Sequence, residues 1–191
     1  MATVAPTRRA AFLSALADWL PGRTFTLLYR GSRDGMTPLA FHSLCDGKGP
    51  TLVLIRCDKG FVFGGYAGAS WVTAGDHDED CDYFGGWNVA SPDAFLLSVV
   101  GPYSSRPVKF PVLPEKAHEA LYNVEGCGPA FTIGLVVCSV GMSPTAVFGD
   151  WSNCSVGDGG YENVLGKGNE SLTGAHHFTP TEMEVFAVAR L

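Results

Sequence analysis

Four aspartates at alternate positions, Asp76, Asp78, Asp80 and Asp82, are the residues whose type and spacing most directly suggest chemistry. Carboxylates presented this way can converge on one hard cation. Asp76-x-Asp78-x-Asp80, with Asp82 at the seventh place, matches the opening of a helix–loop–helix calcium loop. The remainder of that pattern fails: Cys81 stands where glycine makes the sharp turn, and Trp87 stands where a bidentate glutamate belongs. A calcium site of a different design is one expectation, because carboxylates this dense repel without a counter-ion. A solvated acidic loop kept extended by its own charges is the other.

Other constellations carry less. His42 and Cys45 can share a helical face as base and nucleophile, but a helix interior supplies no oxyanion hole. His176 and His177 are neighbours in an extended segment, so they point to opposite faces and cannot easily share a metal; one buried and one exposed histidine is expected. Gly157-Asp-Gly-Gly-Tyr161 lacks the spacing of a phosphate loop and reads as a flexible turn. The six cysteines, Cys45, Cys57, Cys81, Cys127, Cys138 and Cys154, have no CxxC spacing and several lie in apolar runs, so reduced thiols are expected. A thiol that reacts with peroxide needs an accessible thiolate near positive charge. Cys81 has carboxylate neighbours that oppose this, whereas Cys57 follows Arg56 but is expected to face a sheet.

The elements that must position these residues are short and mostly strands. Thr51-Leu-Val-Leu-Ile-Arg-Cys57, a turn ending in Gly60, and Phe61-Val-Phe-Gly-Gly-Tyr66 predict a β-hairpin. Gly64 and Gly65 mark a bulge, a bend or a close approach of another chain segment. Phe25–Tyr29, Ala94–Val100, Pro107–Val112, Ala130–Val140 and Met183–Ala189 read as further strands, with Gly134 distorting the fourth of these. Arg30–Gly35 reads as a polar turn. Thr37 as N-cap with Pro38 in the first helical position predicts a short helix to Cys45. Arg8-Arg9 followed by Ala10–Ala17 imitates a signal peptide, but the apolar stretch is short and Asp18 follows it; Phe12, Leu16, Trp19 and Leu20 instead share one face of an amphipathic docking helix. Residues 149–174 form a Gly/Ser/Asn-rich stretch, long for a compact domain, that is either a functional surface loop or loosely ordered.

Hydrophobic residues at 46% against 17% charged predict a folded domain, and 24 glycines with 12 prolines suit a turn-rich, β-rich fold. A net charge of -6 argues against a nucleic-acid partner, which favours a basic face. No segment approaches the ~18 consecutive apolar residues of a membrane span.

In order along the chain stand Leu27-Leu-Tyr-Arg30 with Ser32-Arg-Asp-Gly35, Phe41-His-Ser-Leu-Cys-Asp46, Lys48-Gly-Pro-Thr-Leu52, and Phe63-Gly-Gly-Tyr66 with Trp71. Asp93-Ala-Phe-Leu-Leu-Ser98, Gly128-Pro-Ala-Phe131, and Phe178 with Glu182-Met-Glu-Val-Phe186 follow. This ordered set resembles the TLDc domain family from about Leu20 onward. The resemblance implies an α+β, β-rich fold, a sandwich of two antiparallel β-sheets with a few short helices packed on it. It divides the chain into an N-terminal amphipathic helix (1–22) and a TLDc-like domain (23–191). It implies protection from oxidative stress, and binding and regulation of the assembly of the vacuolar proton-pumping ATPase (V-ATPase), with no catalytic residues to carry over. The resulting expectation is a non-enzymatic, cytoplasmic interaction domain working at the periphery of acidic organelles. A thiol- or metal-dependent antioxidant enzyme is one alternative; a calcium-responsive binding module using residues 76–82 is another.

Overall fold

Strand β1 (Arg23–Arg30) follows helix α1 (Pro6–Trp19), and one helical turn, α2 (Gly31–Asp34), leads to α3 (Pro38–Cys45). Strands β2 (Thr51–Cys57) and β3 (Val62–Ala67) come next, then β4 (Trp87–Val89), β5 (Phe95–Val100) and β6 (Val108–Pro111). The chain continues through β7 (Leu121–Asn123), β8 (Cys127–Phe131), β9 (Leu135–Cys138), β10 (Asn153–Cys154) and β11 (Pro180–Arg190). The computed structural model describes residues 5–72, 86–139 and 143–191.

Six strands make the main sheet, in the order β1-β11-β2-β3-β5-β6, with every neighbouring pair antiparallel. A three-stranded sheet, β10-β9-β8, and a two-stranded one, β4-β7, complete the β-structure among the described residues. The pleat sorts the apolar residues of β2 onto two faces. Val53, Ile55 and Cys57 join the larger core, which also takes Leu121 of β7, Phe131 of β8, Leu135 and Val137 of β9 and Cys154 of β10. Leu52 and Leu54 point the other way, into a second core with Phe12, Leu16 and Leu20. Both faces of β2 are therefore covered, which explains why it reads as an unbroken apolar run. The fold is the expected α+β sandwich, with the small sheets on one face of the main sheet and α1 on the other.

Helix α1 is held by packing more than by its own sequence. Ala5 gives no side-chain cap, and the first turn holds no acidic residue. A 14-residue helix is marginal alone in water. Phe12, Leu16 and Leu20 are buried, each contributing about 1.5–3 kcal/mol, and Trp19 meets Phe95 edge-on at 5.8 Å.

The glycine pair in β3 answers to close approach. Gly64 and Gly65 stay in register with Leu54 and Val53, so no bulge interrupts the ladder there. A Cβ on Gly64 would run into the Val53 carbonyl, and one on Gly65 would lie 2.6 Å from the Phe131 ring. Three expectations are corrected. Arg30–Gly35 contains the helical turn α2. Ala130–Val140 is no single strand: the chain reverses at Thr132–Gly134, with Thr132 at φ 48°, and returns as β9. Residues 149–174 are well packed, with Ser152, Cys154, Val156, Tyr161 and Leu172 buried and β10 paired to β9.

Candidate functional site

Most of the residues carrying the ordered motifs turn out to build a core. Thr51 Oγ1 accepts a hydrogen bond from the buried Trp71 indole at 2.8 Å. That indole sits edge-on to Phe41 at 5.8 Å and to Phe131 at 5.5 Å. Tyr29, behind Phe41, donates its hydroxyl to the Gly35 carbonyl at 2.7 Å. These aromatics fix where α3 and the β8–β9 hairpin lie against the main sheet.

The thiol–histidine pair on α3 has no nucleophilic chemistry. His42 places Nδ1 2.8 Å from Asp46 Oδ1 and Nε2 2.9 Å from the Cys127 carbonyl. Both ring nitrogens are engaged by oxygen acceptors, so neither is left to draw a proton from Cys45. Burial, reinforced by the Asp46 and Asp34 charges, pushes the Cys45 thiol up to about 12. His42 pins α3 to the start of β8.

His176 and His177 depart from expectation in another way. Both are exposed, and their rings meet edge-on with centroids 4.5 Å apart. The backbone of His177 bridges to Asn153, which leaves both imidazoles on the surface. The Gly157–Tyr161 turn serves packing: Gly159 lies so close to Gly134 that a Cβ would strike its backbone, and Tyr161 donates to the Ala120 carbonyl at 2.6 Å. Asp76, Asp78, Asp80, Asp82 and Cys81 lie outside the described residues. Among the described residues no three histidine, cysteine or acidic side chains gather as a metal site. Cys57 is buried, at 2% exposure.

What the geometry does offer is a surface. The start of α3 and residues 143–148 are joined by two backbone hydrogen bonds, Leu39 N to the Pro144 carbonyl and Phe148 N to the Met36 carbonyl, each 2.9 Å. The junction presents Leu39 at 57% exposure and Val147 at 61%. Three residues beyond Phe148, Trp151 is 54% exposed and lines an open cleft of about 550 Å³ with Asp150 and His177. Large apolar groups exposed on a surface suit contact with another protein. Leu39 belongs to a run that reads from sequence as a helix, but which of its faces turns outward depends on β8 and on residues 143–148, which the local pattern does not place. Cys127 and Cys138, read separately, also come together, directly opposite each other across β8 and β9. A turn recognised at Thr132–Gly134 would have brought the two strands together, but it is the register shift between Cys127 and Ala130 that sets Cys127 opposite Cys138.

No curated protein matches the chain. The TLDc domain family does match, from within α1 through α3 and the β2–β3 hairpin to the first residue of β4. The pieces from Leu27 to Trp71 fall inside that match, whereas Asp93–Ser98, Gly128–Phe131 and Glu182–Phe186 lie beyond it. Over residues 9–87 the chain is similar to the TLDc domain family.

Proposed function

We propose that this protein is a non-enzymatic interaction domain that binds the V-ATPase, regulates its assembly, and protects against oxidative stress through that contact. The observation carrying this reading is the TLDc match over residues 9–87. The exposed apolar residues Leu39, Val147 and Trp151 support it as contact residues. No helix among the described residues is long and apolar enough to cross a membrane, which suits a partner reached from the aqueous side. The site of action is the cytoplasmic face of acidic organelles. A second reading adds calcium, held by Asp76, Asp78, Asp80 and Asp82, as a regulator of the same contact; it rests on the alternate carboxylates alone.

The test is a titration of purified V-ATPase from the same host with this protein, with and without calcium, following ATP hydrolysis and subunit release. Inhibition or release, weakened when Leu39 and Val147 are changed to serine, is the expected result. Calcium dependence that disappears in Asp78→Asn would add the acidic residues to the regulatory site. Absence of both binding and effect on the host's own pump overturns the proposal.

A further inference from the structure

Cys127 begins β8 and Cys138 ends β9, and the two are direct partners across the antiparallel hairpin. Each backbone amide donates to a residue other than its partner. Cys127 N donates to the Val124 carbonyl at 3.2 Å, and Cys138 N donates to Ser152 Oγ at 3.2 Å. The register shifts between Cys127 and Ala130, and direct antiparallel partners of either kind lie about 4.5–5.5 Å apart at Cα. That separation falls within the span a disulfide bridges without moving the backbone. Both thiols are free, and their Sγ atoms are 2.6 Å apart.

The surroundings isolate this pair from the rest of the core. Cys127 and Cys138 form a small apolar cluster with Val124, packed by Tyr122 and Val136, separate from both larger cores. Exposure is 1% for Cys127 and 8% for Cys138. Both residues are buried, and Cys138 is the more exposed of the two. The other described cysteines, Cys45, Cys57 and Cys154, are buried as well, and none has a cysteine opposite it in the sheet register.

We propose that Cys127 and Cys138 form a modification site at which hydrogen peroxide reversibly converts two thiols into one intrachain disulfide. Cys138 is the attacking sulfur. It is the more accessible, and the hydrogen bond with Cys127 draws it below the ordinary thiol range although burial acts the other way; Cys127 is pushed up by the same bond. The Cys138 thiolate attacks one peroxide oxygen, the O–O bond breaks, and the departing hydroxide takes a proton to leave as water. The product is a sulfenic acid on Cys138. Cys127 Sγ then attacks that sulfur, forming the S–S bond and expelling the second water. In balance, two thiols and one peroxide give one disulfide and two waters; the sulfurs are oxidised and the peroxide oxygens reduced. A dithiol reductant reverses the change by exchange, its own thiols ending as a disulfide.

The test uses the full chain at equimolar hydrogen peroxide. Free thiols are counted in denaturant, and a non-reduced chymotryptic digest is mapped, since cleavage after Phe131 separates the two cysteines. The expected result is loss of two of the six thiols, a cross-linked pair of peptides carrying Cys127 and Cys138, and full recovery with a dithiol reductant. In Cys127→Ser the reaction should stop at a sulfenic acid on Cys138 that a nucleophilic dione traps. The peptide map needs no variant to fold. An unchanged thiol count, or a cross-link joining any other pair, overturns the proposal. Its outcome does not depend on whether the protein binds the V-ATPase.

Discussion

Glu182, in β11, uses its carboxylate to organise backbone. Its Oε1 accepts from the Ser32 amide at 3.0 Å and from its neighbour Met183 at 3.1 Å. Two positions on, the buried Glu184 accepts from Arg30, with 2.7 Å between Nη2 and Oε1, across the β1–β11 register. Burial raises the Glu182 carboxyl, but the Ser32 and Met183 hydrogen bonds and the Arg30 charge outweigh it and leave the group below the usual glutamate range. The folded chain thus gives up this proton more readily than the unfolded chain does. The resulting stability is fully present above the unfolded value, about 4.3, and is lost as pH falls through the lower folded value. Glu182→Gln should therefore lower the thermal midpoint near neutral pH, and the gap from the parent should close in acid. A gap that stays constant across the titration would show that the charge of Glu182 is not what stabilises this contact.

Helix α3 shows what a local signal can specify. Thr37 Oγ1 accepts from Ala40 N at 3.2 Å, and Pro38 occupies the first turn, as the Thr-Pro pair alone predicts. Thr37→Ala should cost about 1 kcal/mol in chemical denaturation. If the loss is far smaller, the tertiary contacts of Phe41 and His42 hold the helix without its cap. The β2–β3 hairpin was equally legible, because its turn and its apolar runs both lie within 17 residues. The β8–β9 hairpin was not. Its turn is Thr132-Ile-Gly134, and a β-branched residue at positive φ is no turn signal, so the apolar run reads straight through the reversal. The dithiol was hidden by the same error, since one strand across residues 130–140 leaves Cys127 and Cys138 with no reason to meet. The exposed junction at Leu39 and Val147 was hidden differently. It is made by segments about 100 residues apart, whose meeting no local pattern encodes.

At the scale of the molecule, strand order matters more than any single contact. β11 lies between β1 and β2, so two strands near one another in sequence touch only through a third that comes much later. The TLDc match covers β1, β2 and β3 but not β11. A fragment of residues 9–87 should therefore lack a cooperative thermal transition and give a poorly dispersed amide spectrum, while the full chain gives both. A folded fragment would mean that β1 and β2 can pair directly, against the observed order. The same order bears on synthesis. β1 ends at Arg30 and its sheet partner ends at Arg190, so at about 5–20 residues per second the slot between β1 and β2 stays open for on the order of ten to thirty seconds on the ribosome. Throughout that interval β1 and β2 lack the strand that pairs with both, and an unpaired strand edge is a template that any extended chain can enter. The nascent protein thus needs a chaperone most before β11 has emerged, and a β11 peptide supplied in trans is the natural key to a chain synthesised without it.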